Sequence, residues 1–178
     1  ELAKDFNDLN KTSFVDAYGL GLWGEGHSVI YEDPNNPSGQ NIEVIKEEVV
    51  DWISDVYAKN FTKVPLLINY HRVVGDPAGN GAPNPNSEKL LNKMINKGYS
   101  LRQDAFGMTD YYQSWEKNFA KAWNFKRPII MEGGWITTGT HRYWTDPSGK
   151  YRQDHPEDVR QGEFDSSLEA GVNMMDFR

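Results

Sequence analysis

The chain has 178 residues, 38% of them hydrophobic and 13% aromatic, which suffices for one domain with a real core. A formal net charge of -7 with no basic block to offset it argues against a binder of nucleic-acid phosphates. The absence of cysteine excludes disulfides, thiolate metal sites and a cysteine nucleophile, and no run of about 18 apolar residues offers a membrane span.

Residues 14–24, FVDAYGLGLWG, read as a first strand: short, apolar and too rich in glycine for a helix. It runs into a carboxylate, Glu25, with His27 two residues beyond. After the turn formers VIYEDPNNPSGQ, Asn41 suits the N-cap of a helix whose inward face carries Ile42, Ile45, Val49, Trp52, Ile53, Val56 and Tyr57. VPLLINYH, 64–71, is a continuous apolar strand of the kind covered on both faces. The loop VVGDPAGNGAPNPN leads to Ser87, which caps a helix with Leu90, Leu91, Met94 and Ile95 inward and Gly98 at its end. YSLRQDAFGM forms a third strand, and Asp110 caps a helix carrying Tyr111, Tyr112, Trp115, Phe119 and Trp123. RPIIMEGG, 127–134, is a fourth strand that ends near Glu132. A long loop, a helix over 157–170 and a last strand, VNMMDFR, complete the chain. Trp52, Trp115 and Trp123 read as core.

Alternating strands and helices give right-handed βαβ units and a parallel sheet. The helix-to-strand links are short, whereas the strand-to-helix links are long and hold most of the prolines and glycines. Ligand sites in α/β folds lie at the carboxyl ends of the strands, where those long links begin. One face is thus marked as functional before any motif is considered.

Glu25 and Glu132 both stand on that face. Alternation puts Gly21 and Gly19 on the side of Glu25, with Leu22 and Leu20 turned toward covering helices. It puts Ile130 on the side of Glu132, with Met131 and Ile129 opposite. Two carboxylates facing across a cleft are what glycoside hydrolysis uses, one protonated to donate and one ionised to attack or to activate water. A separation of about 5–5.5 Å means retention of configuration, and about 6.5–9.5 Å means inversion.

Candidate substrate contacts surround the pair. His27 is placed to orient Glu25 or touch substrate, and Tyr70 and His71 end the second strand. Arg102 and Asp104 share one side of the third strand, where charges are costly unless that side is a polar lumen. Trp135, His141 and Trp144 follow Glu132 on a long loop and offer flat platforms to sugar rings, while Arg142 or Lys150 suits an anionic sugar. Asp176 lies near the end of the last strand. Two rival functions remain open. Glu25, His27, His71 and Asp104 suit a metal-dependent hydrolase, although paired histidines and H-E-x-x-H spacing are absent. A barrel that binds glycan without turnover is the other, since fold does not imply function.

A strand ending in WGEGH, two βα units and then a strand ending in IIMEGGW resemble the second half of a (β/α)8 TIM-barrel glycoside hydrolase of the large retaining superfamily. In that superfamily the acid/base glutamate ends strand four and the nucleophile ends strand seven. GLWGEGHS is also similar to a segment of uncharacterised bacterial glycosidases that carry W-G-E-W-H. The resemblance implies that residues 1–178 form a single partial barrel, strands four to eight with their helices. Strands one to three would be absent, and residues 1–11 would be the tail of the third helix. It implies Glu25 as acid/base, Glu132 as nucleophile, no cofactor or metal, an oligo- or polysaccharide substrate, and an extracellular or periplasmic location in a bacterium. Gly24 stands where most members have asparagine, and Asp176, Phe177 and Arg178 stand where many have tryptophan, so the sugar remains open. A partial barrel exposes strand edges and apolar helix faces, so self-association or pairing with a missing N-terminal half is expected.

Overall fold

The computed structural model describes residues 1–17, 19–22, 24, 26, 29–32, 35, 42–70, 73, 85–106, 117–133, 149–152 and 155–176. The elements among them are α1 (Leu2–Phe6), β1 (Val15–Asp16), α2 (Ile42–Asn60), β2 (Leu66–Asn69), α3 (Pro85–Asn96), β3 (Ser100–Phe106), α4 (Lys117–Trp123), β4 (Ile129–Gly133), α5 (Pro156–Ala170) and β5 (Met174–Asp176). The strands follow one another in chain order, and the pairings of β1 with β2, β3 with β4 and β4 with β5 are parallel. This is the expected α/β architecture of TIM-barrel type, parallel strands connected through helices. The chain divides into two compact units, Glu1–Ser100 and Leu101–Arg178.

In the first unit β2 is buried along its whole length, as its unbroken apolar run requires. The first predicted strand is cut short: the described β1 is Val15 and Asp16, which pair with Leu66 and Leu67 of β2. Glycine is the reason. Gly19, Gly21, Gly24 and Gly26 adopt φ of 65°, 82°, 76° and 83°, a left-handed region closed to a regular strand. They fold the chain into turns instead: Gly24 N–H donates to the Gly21 carbonyl at 3.3 Å, and Gly26 N–H to that of Leu20 at 2.7 Å. Leu22 is consequently 70% exposed rather than packed under a helix.

Helix α2 forms where its apolar periodicity places it, but its buried stripe is turned by about a quarter turn, at ~100° per residue. Lys46, Val50 and Ser54 are buried, while Trp52, expected in the core, is 67% exposed. Polar contacts set that rotation. Asp51 accepts hydrogen bonds from Lys93, at 2.6 Å, and from Lys97 of the α3 side. Lys97 also reaches Asp55 at 2.7 Å and the Ser54 hydroxyl at 2.9 Å. Tyr99 donates toward the carbonyls of Ser54, at 3.2 Å, and Ala17, at 3.3 Å. Turning Trp52 inward would break this set.

Other boundaries shift as well. Helix α1 ends at Phe6, and Asn7 then clamps the segment to the link after α2: its carboxamide oxygen accepts from the N–H of Lys63 at 2.9 Å and of Val64 at 3.2 Å. Helix α3 begins at Pro85, so Ser87 lies inside it rather than capping it; proline suits a first turn, whose N–H groups are unpaired anyway. Asp110, Tyr111, Tyr112 and Trp115 lie outside the described residues.

In the second unit β4 alternates as predicted, with Ile129, Met131 and Gly133 buried and Ile130 and Glu132 half-buried. Helix α5 closes on Gly171, which takes φ of 71° and lets Gly171 N–H reach the Leu168 carbonyl at 3.1 Å and Val172 N–H that of Ser167 at 3.0 Å. At its other end Asp158, in the first turn, binds the Arg152 guanidinium at 2.7 and 2.9 Å and its N–H at 3.0 Å.

Lys93 and then Lys97 hold the Asp51 carboxyl below the ordinary carboxylate range. A depressed folded-state value makes this stability complete above the unfolded-state value, about 3.9, and lost as pH falls through the folded-state value. Asp51→Asn is therefore expected to lower the unfolding free energy by about 1 kcal/mol at pH 7. Urea titrations should show the deficit narrowing as the pH falls below about 4.

Candidate active site

The site is built from the registers of the second unit. Arg102 of β3 stands opposite Ile130 of β4, Ile130 opposite Met174 of β5, and Glu132 opposite Asp176. Because side chains alternate, Arg102, Ile130, Glu132, Met174 and Asp176 share one side of these strands. The other side carries Leu101, Gln103, Ile129 and Met131, all buried. Charge is thus sorted onto one side and packing onto the other.

On the charged side Arg102 Nη2 donates to Glu132 Oε2 at 2.7 Å. The two side chains are 12% and 13% exposed, so the pair is largely withdrawn from water without being sealed. The guanidinium supplies the positive charge that an ionised carboxylate needs in such a place, and a fixed carboxylate of this kind can attack an electrophilic carbon or take a proton. Asp176, on the neighbouring strand, is exposed.

Behind Glu132 lies a second acid that the sequence did not single out. Glu163 of α5 is 1% exposed, and a side-chain carbon added to Gly133 would lie 3.1 Å from its Oε2. Glycine at 133 is what lets the helix carboxylate come so near the strand backbone. Nothing in the local pattern of α5, polar along most of its length, marks position 163 as buried.

Of the predicted residues, Arg102 and Glu132 are brought together, and Asp176 stands on their side. Asp104 is part of β3, but its side chain lies outside what is described. Tyr70 follows β2 directly and is fully buried. Glu25, His27, His71, Trp135, His141, Trp144 and Arg142 lie outside the described residues. Lys150 is engaged with Asp165 at 2.8 Å and with the Tyr151 hydroxyl at 2.5 Å. Asn69, the last residue of β2, is buried as well and was not foreseen; a lone carboxamide closing the run LLIN was the available signal. Among the described residues no group of three His, Asp or Glu side chains is placed to hold a metal ion, and no helix is long and apolar enough to cross a membrane.

No protein-family model and no curated protein matches the chain. Among solved structures it is similar to the catalytic domain of a β-amylase from Paenibacillus polymyxa, at 15% identity and a TM-score of 0.46, over 99% of this chain and 45% of that one. The chain therefore spans less than half the length of that structure.

Removing one partner of a buried ion pair leaves the other charge uncompensated, at a cost of about 3–5 kcal/mol for full burial. Arg102→Met, at a site that retains slight exposure, is expected to cost about 2 kcal/mol in urea denaturation. The double variant Arg102→Met with Glu132→Leu should recover much of that loss, because it removes the carboxylate together with the guanidinium that faces it.

Proposed function

We propose that the chain carries the catalytic glutamates of a retaining glycoside hydrolase acting on an oligo- or polysaccharide. The observation that carries this reading is the largely buried Arg102–Glu132 pair, which holds a carboxylate at the C-terminal end of a parallel strand on its polar side. The two βα units that separate Glu25 from Glu132 in the sequence support it further.

In this mechanism Glu25 donates its proton to the glycosidic oxygen as Glu132 attacks the anomeric carbon, so that the glycosidic bond breaks and a glycosyl ester forms. Glu25, now ionised, takes a proton from water. That water cleaves the ester and frees Glu132, and two inversions restore the original anomeric configuration. Arg102 keeps Glu132 in one position for both steps. His27, Tyr70, His71, Asp104, Trp135, His141, Trp144 and Asp176 are assigned to the surrounding sugar contacts. No cofactor enters either step, and an extracellular or periplasmic location fits a polymeric substrate.

Glu132→Gln and Glu25→Gln should each slow release of reducing sugar from soluble polysaccharides by at least about a thousandfold. Proton NMR of the first product should show the anomer of the substrate. Unchanged turnover in either variant would sink the assignment, and an inverted product would reassign Glu132 as a base. A parent chain that binds glycan and never cleaves it would identify a binding protein instead.

A further inference from the structure

The side chain of Asn69 stands apart from the other buried polar groups. It is 0% exposed at the C-terminal end of β2, and neither its Oδ1 nor its Nδ2 makes a hydrogen bond among the described residues. A buried carboxamide without bonds costs stability and returns nothing to the fold, since a leucine would fill the same space with no polar atom left over. Its direction is given by the register. Asp16 stands opposite Leu67, so Asp16, Leu67 and Asn69 share one side of the β1–β2 pair, and Val15, Leu66 and Ile68 share the other, apolar side. Asn69 is therefore on the polar side, at the strand end where α/β folds hold ligands.

We propose that Asn69 is a binding residue for a neutral saccharide, accepting one hydrogen bond from a sugar hydroxyl and donating another to its neighbour. This assignment rests on the glycosidase reading above. A carboxamide offers one acceptor and two donor hydrogens in a plane, which matches a pair of adjacent hydroxyls, each able to donate and accept.

The test uses the 178-residue chain carrying Glu132→Gln, so that ligand is not consumed, with maltohexaose, cellohexaose, xylohexaose and mannohexaose as probes in titration calorimetry. Adding Asn69→Leu should weaken the bound hexasaccharide by about tenfold or more, while the urea midpoint stays level or rises. Unchanged affinity with a lowered midpoint overturns the proposal, because Asn69 then serves the fold. Should the leucine variant fail to fold, Asn69→Ser decides by the same tenfold criterion: the loss supports the assignment, and unchanged affinity overturns it. A parent chain that binds none of the four overturns the glycosidase reading and the saccharide with it, whereas binding untouched by either substitution overturns the role of Asn69 alone.

Discussion

An ionised carboxylate only 13% exposed needs a cation beside it, and for Glu132 the neighbouring strand supplies one. Arg102 meets that need because it pairs with Ile130, the residue two before Glu132 and therefore on the same side of β4. A slip of β3 by one residue would turn Arg102 into the layer that holds Ile129 and Met131, and would turn Leu101 and Gln103 out of it. The charged pair and the apolar layer thus specify the same register from opposite sides of the strands. An active-site carboxylate held in this way draws its geometry from the sheet rather than from a loop.

The first unit is organised by a different compromise. Helix α2 is apolar around much of its circumference, so hydrophobicity alone permits several rotations. The choice among them falls to Asp51 with its two lysines and to the Tyr99 hydroxyl, which burial pushes well above the ordinary tyrosine range and so keeps protonated as a donor. Exposing Trp52 is the cost of satisfying these polar groups, and it leaves a large aromatic surface in water. Hydrogen-bond requirements outweigh the burial of one ring here because an unmet buried polar group costs about as much as that ring would gain, roughly 1–3 kcal/mol.

The parts of the fold that were legible in the sequence are those where one physical rule acts alone. The buried run of β2, the alternation of β4 and the span of α5 each follow from a single pattern, and the structure reproduces them. Where two rules compete, the sequence misleads. FVDAYGLGLWG has strand-like hydrophobicity, but its glycines take left-handed torsions and the chain turns after Asp16. In α2 periodicity located the helix and missed its rotation, since ion pairs to a helix forty residues away are invisible in a local window. The same division runs through the site. Arg102 and Glu132 announce themselves as charges inside strands, whereas Glu163 lies in a helix of many charges and acquires meaning only through its neighbour, Gly133.

Gly133 links the two sides of β4. Its missing side chain leaves room for Glu163 Oε2 on the helix side and for the Asp176 carbonyl of β5, each 3.1 Å from where a Cβ would sit. That distance is tighter than ordinary carbon contacts, so any larger residue would push α5 or β5 away. Displacing β5 would move Asp176 relative to Glu132, its partner in register, and displacing α5 would unseat a buried carboxylate. The small residue after Glu132 therefore does for the packed side what Arg102 does for the charged side. It fixes the distance between neighbouring elements on which the position of a single carboxylate depends.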